Sequence, residues 1–106
     1  MLIVKSVHGV PIRLTEERWQ HIVDRHPEIK EQQKETLETV SNPDYVQKGD
    51  FDTKIAVRFY PETPLTEKHL AVVYKQVSPS DGFIVTAYFT SEPARWREVL
   101  WKRSSS

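Results

Sequence analysis

No cysteine occurs among the 106 residues. A disulfide framework, a thiolate metal cluster and a cysteine nucleophile are thereby excluded, and the composition agrees with a reducing compartment. Long apolar runs are missing as well: Leu2–Ile3–Val4 is interrupted at Lys5, well short of a signal-peptide core or the roughly 20 apolar residues of a membrane span. The chain therefore reads as soluble and cytoplasmic, with no membrane partner. Neither charge sign is in excess, since Lys plus Arg and Asp plus Glu both number 15, so no global positive field singles out a nucleic-acid partner. Residues 1–50 carry seven basic and nine acidic side chains and residues 51–106 eight and six. Any basic bias belongs to the second half, where Arg95, Arg97, Lys102 and Arg103 have only Glu98 among them.

Metal-binding patterns are scarce too. No HExxH segment or acidic calcium loop occurs. His21 and His26 are five residues apart, about 140° around a helix, so they do not share one face for an ion. No metal and no cofactor are expected.

What is present divides into a helical first part and an extended second part. The length suits one domain, over residues 1–103, with the serines at 104–106 a disordered tail. LIVKSV and VPIRL read as short extended segments around His8 and Gly9, the second confined by Pro11 to an edge or an irregular lead-in. Thr15 suits an N-cap, Glu16 and Glu17 suit a first turn, and Trp19, Ile22, Val23 and His26 recur at helical spacing. A helix is predicted from about Thr15 to Arg25. Pro27 ends it and can open a second, carrying Ile29, Leu37 and Val40, which stops by the SNPD turn.

From Tyr45 onward the period becomes two. KIAVRFY, HLAVVYKQV and FIVTAYFT are rich in β-branched and aromatic residues and are separated by turn-forming stretches. SEPARWREVLW has Ser91 as a cap and Trp96, Val99 and Leu100 at helical spacing, which predicts a short C-terminal helix. The expected fold is α+β: two N-terminal helices packed on one face of a three- to four-stranded antiparallel sheet. Trp96, Leu100 and Trp101 either complete its core or form a self-association patch, which suits a monomer or weak dimer.

Alternation divides the strands into two faces. Ile55, Val57, Phe59, Leu70, Val72, Tyr74, Phe83, Val85, Ala87 and Phe89 form the expected core face. The other face then collects Arg58, Tyr60, His69, Lys75, Thr86, Tyr88 and Thr90, a cationic and aromatic set without a carboxylate. Such a face would attract an anion and could stack bases; a partner chain or the C-terminal helix covering it is the other reading. Arg18, His21 and Arg25 share a helical stripe at offsets of three and four. That stripe suits a phosphate, or is an ordinary solvated helix side. His26, closing the apolar seam, is expected to be a largely buried or a capping histidine.

Without a metal, a cysteine or an acidic pair, these residue types still suffice for one reaction. RNA is cleaved when its 2′-hydroxyl attacks the adjacent phosphate, which needs a base, an acid and a cation for the phosphorane. His21 or His26 would be base or acid. Lys75 with Arg25 or Arg58 would hold charge, and Thr86 or Tyr88 would hydrogen-bond phosphate oxygens. Arg18, Tyr60, His69, Thr90 and Arg95 would bind substrate. The alternative is a non-catalytic module that holds RNA or a protein on the same sheet face.

RLTEERWQHIVDRHPEI, NPDYV, HLAVVYK and GFIVTAYFT together resemble the phage-associated nuclease families grouped with barnase, EndoU, colicin ribonuclease and RelE-like toxins, the BECR fold. The resemblance spans roughly residues 10–90. It is most specific at the HxxxRHPE segment (His21, Arg25, His26, Pro27, Glu28) and at TAYFT (Thr86 to Thr90). It implies two helices followed by a four-stranded antiparallel sheet and metal-independent endoribonuclease activity in a toxin or mobile-element setting. The substrate would be RNA, including structured RNA such as tRNA, and a cognate antitoxin would be a partner.

Overall fold

A computed structural model describes residues 1–104 of the chain. Of the expected tail, Ser104 is exposed and outside any regular element, while Ser105 and Ser106 lie outside the described residues. The elements are β1 (Leu2–Lys5), β2 (Pro11–Leu14), α1 (Glu16–Arg25), a single 3-10 turn (Pro27–Ile29) and α2 (Gln33–Ser41). They are followed by β3 (Tyr45–Lys48), β4 (Lys54–Phe59), β5 (His69–Ser78), β6 (Asp81–Thr90) and β7 (Val99–Lys102). Among the described residues no helix is long and apolar enough to cross a membrane.

The local signals place α1 well. The Thr15 side chain accepts the amide of Arg18 at 3.1 Å, Glu16 and Glu17 occupy the first turn, and the helix stops at His26, before Pro27, as the restriction on residues preceding proline requires. Pro27 then opens only a 3-10 turn, and α2 starts six residues later, at Gln33. In α2 the hydroxyls of Thr36 and Thr39 bond back to the carbonyls of Gln32 and Glu35. Both threonines can therefore be buried beside Val40.

The sheet departs from the expected three or four antiparallel strands. It has seven, in the order β1-β2-β6-β5-β4-β3-β7, and is mixed, because β2 runs parallel to β6 while the other neighbours are antiparallel. Pro11 does not confine β2 to an edge: it is the first residue of the strand, opposite Lys5, where no ladder amide is needed, and β1 takes the edge. The parallel contact is two residues long, Ile12 with Gly82 and Arg13 with Phe83. A Cβ on Gly82 would lie 2.6 Å from Ile12 Cδ1 and from the Lys75 carbonyl, so this contact requires glycine. The expected C-terminal helix is absent. Residues 91–98 run irregularly and Val99–Lys102 adds to the free side of β3, where ladder hydrogen bonds outweigh a weak helical period.

The main core lies between the helices and the sheet. It joins Ile12, Leu14, Ile22, Ile29 and Val40 to Val46, Ala56, Leu70, Val72, Tyr74, Ile84, Ala87 and Phe89. A smaller cluster of Ile55, Val57 and Ala71, flanked by Tyr45, Val73 and Tyr88, lies on the opposite face. The 91–98 segment crosses that face, and the Ala94 carbonyl accepts the Gln47 side-chain amide at 2.6 Å.

Two strands are out of phase with the predicted faces. In β4, Ala56 opposes Val72 and Arg58 opposes Leu70, which turns Ala56 and Arg58 toward the helices and Ile55 and Val57 away. In β6 a bulge interrupts the ladder: Val73 opposes Thr86 and Tyr74 opposes Ile84, so Val85 is the extra residue. Ile84 and Ala87 both reach the main core, whereas Phe83 and Val85, expected there, are only half-buried.

Candidate active site

Because β2 pairs with β6 only as far as Phe83, the following stretch of β6 has no strand on that side, and α1 flanks it. Between them is an open cleft of about 580 Å³, lined by Arg18, His21, Ile22, Arg25, His26, Val85, Thr86 and Tyr88. The helical stripe Arg18, His21, Arg25 forms one wall. The bulge shapes the other, since it leaves Val85 and Thr86 as consecutive residues outside the core.

His26 is the C-cap residue of α1 and is half-buried rather than enclosed, its side chain 33% exposed. The last backbone bond of α1, from the His26 amide to the Ile22 carbonyl at 2.8 Å, fixes its position. Its Nδ1 lies 3.5 Å from Glu28 Oε1, which leaves Nε2 for the cleft. The ring sits 5.9 Å from that of Tyr88, tilted by 35°. His21 is exposed at the same cleft.

The arginines separate into two groups. Arg13, Arg58, Arg97 and Arg103 are paired with Asp81, Glu38, Asp50 and Asp44. Arg18, Arg25 and Arg95 have no ion pair or side-chain hydrogen bond among the described residues; of these Arg18 and Arg25 line the cleft, and no carboxylate does. Two uncompensated guanidinium groups beside two imidazoles make a site for an anion.

Other predicted site residues lie elsewhere. Arg58 and Tyr60 are on the helix side: Arg58 donates to the Asn42 carbonyl at 2.6 Å and lies 3.7 Å from Glu38, while the Tyr60 hydroxyl donates to Glu38 at 2.7 Å. Burial, together with the Glu38 carboxylate, holds the Tyr60 phenol well above its ordinary range. These two residues fasten α2 to β4. His69 stacks against Phe59 at 5.1 Å and, with Arg95, lines a hollow under the 91–98 segment. The Thr90 hydroxyl donates to the Glu92 carbonyl at 3.3 Å. Lys75 opposes Phe83 and is not among the residues lining the main cleft. The predicted continuous basic face is therefore divided by the inverted phase of β4 and partly covered by residues 91–98.

Sequence reasoning missed Val85 and Ile22 as lining residues and Glu28 as the partner of His26. The RHPE segment carried the last signal, since a histidine before proline and a glutamate two residues on can meet across a tight turn. Among the described residues no group of three or more His, Asp or Glu side chains is placed to hold a metal ion. No protein-family model, curated protein or solved structure matches this chain.

Proposed function

We propose that the protein is an endoribonuclease of the toxin or mobile-element type that cleaves RNA by internal transfer. The observation that carries this reading is the meeting of Arg18, His21, Arg25, His26, Thr86 and Tyr88 in one cleft. One imidazole takes the proton of the 2′-hydroxyl as its oxygen forms a bond to phosphorus. The bond to the 5′-oxygen breaks, and the other imidazole returns a proton to that oxygen. Arg18 and Arg25 stabilise the charge that accumulates on the phosphorane, and the Thr86 and Tyr88 hydroxyls offer hydrogen bonds to its oxygens. The products are a 2′,3′-cyclic phosphate and a 5′-hydroxyl, and no step calls for a metal. The resemblance of HxxxRHPE and TAYFT to the BECR nucleases supports the same reading, as does the absence of a carboxylate from the cleft lining.

Such an enzyme would act on RNA as a monomer or weak dimer, with structured RNA such as tRNA among its substrates and an antitoxin protein as its inhibitor. The test is incubation of the purified protein with single-stranded RNA and with tRNA in excess chelator. Cleavage to cyclic-phosphate ends, blocked by a 2′-deoxy residue at the scissile position, is expected. Intact RNA, or cleavage that stops on chelation, overturns the proposal; binding without cleavage would instead make the cleft that of a binding module.

A further inference from the structure

From Phe83, on the β6 side of the two-residue parallel contact, the surface continues into a second, smaller hollow of about 270 Å³ lined by Arg13, Thr15, Arg18, Phe83 and Ile84. Arg18 lines both hollows, and Ile84 of one adjoins Val85 of the other along β6. The two are therefore neighbouring parts of one track between α1 and β6. The guanidinium of Arg13 lies over the Phe83 ring, 5.4 Å from its centroid, and is held there by Asp81 at 3.4 Å. Phe83 is thus an aromatic ring outside the main core, with a planar cation laid over it.

Resting on the ribonuclease reading above, we infer that this second hollow is a subsite for a nucleotide one phosphate beyond the pair that flanks the scissile bond. Its base would stack on Phe83 and Arg13, and Arg18 would hold the connecting phosphate. A guanidinium stacked over an aromatic ring accepts any nucleobase through its π-face, without reading its edges. The base has to be unpaired to reach it, so the ligand class is single-stranded RNA or an unpaired loop. The subsite would make the enzyme favour longer single strands over dinucleotides while discriminating little among bases.

The experiment measures binding of uncleavable RNAs, of two and of four nucleotides with 2′-deoxy substitution, to the full chain and to Phe83→Ala, Phe83→Tyr and Arg13→Gln. The wild-type protein should bind the tetranucleotide more tightly. Phe83→Ala should weaken that binding roughly tenfold or more, the scale of one lost base stack, leave the dinucleotide unchanged, and be rescued by Phe83→Tyr. Arg13→Gln, at a side chain 36% exposed, gives the same comparison if Phe83→Ala fails to fold. Equal binding of both lengths by the wild type, or equal weakening of both by the variants, overturns the subsite while leaving the ribonuclease reading intact. Failure of the wild type to bind either RNA overturns both.

Discussion

The rings of His26 and Tyr88 stand 5.9 Å apart, one at the end of α1 and the other in β6, and both line the main cleft. Both are half-buried: Tyr88 also flanks the smaller apolar cluster, whereas His26 belongs to neither cluster. His21→Ala and His26→Ala are each expected to lower RNA cleavage by about 10²- to 10⁴-fold, as loss of a general acid or base does. Stability should change by less than about 1 kcal/mol at such sites. Single-turnover cleavage and thermal melting on both variants check this; a large loss of stability in His26→Ala would mean that the ring supports the fold instead.

Removing an uncompensated guanidinium should affect binding in a way that salt reveals. For Arg18→Ala and Arg25→Ala, the slope of log affinity for single-stranded RNA against log salt should fall in magnitude by about 0.7, the value for one lost phosphate contact. Melting should be unaffected. Filter binding across a salt series gives the slopes.

Arg58 supplies the contrasting case. Its ion pair with Glu38 and its hydrogen bond to the Asn42 carbonyl lie away from the cleft, so Arg58→Ala should cost about 1 to 2 kcal/mol of stability and leave kcat/KM for RNA unchanged. Urea unfolding and a cleavage assay separate the two effects.

Tyr74 is fully buried, and its hydroxyl has no hydrogen-bond partner. Burial pushes its phenol up to about 12. Because the folded value is raised, this group's contribution to stability is fully present below the unfolded value near pH 10 and declines as pH rises toward about 12. The slope is roughly 1.4 kcal/mol per pH unit within that window. Tyr74→Phe should keep or raise stability at neutral pH, because it removes an unsatisfied buried hydroxyl, and should move alkaline unfolding to higher pH. Melting curves from pH 7 to 12 check both parts.

The helical half of the site was legible because its rules are local. Thr15, the paired glutamates and Pro27 bound α1, and offsets of three and four placed Arg18, His21 and Arg25 together. The strand half was legible only where alternation survived, at Thr86 and Tyr88. Ile55, Ala56 and Val57 are apolar in succession and buried on both faces of the sheet, so their pattern carries no phase, and a shift of one residue moved Arg58 and Tyr60 to the wrong side. At Val85 the bulge inserted a residue, and periodicity read across it misplaced Phe83 and Val85. The pairing of β7 with β3, and of β2 with β6, depends on partners distant in sequence, about which a local window says nothing.

The same distant pairing bears on when the cleft forms. Ile12 cannot meet Gly82 until β6 has been made, and the loop between them is long, so closing it costs entropy before any contact repays it. The β1–β2 hairpin, of marginal stability alone, has to wait, and folding should be slow compared with a helical bundle of this size. Since the cleft takes one wall from α1 and the other from β6, a nascent chain that has not yet delivered β6 has no cleft. Whatever the cleft binds, it can do so only after β6 has joined α1.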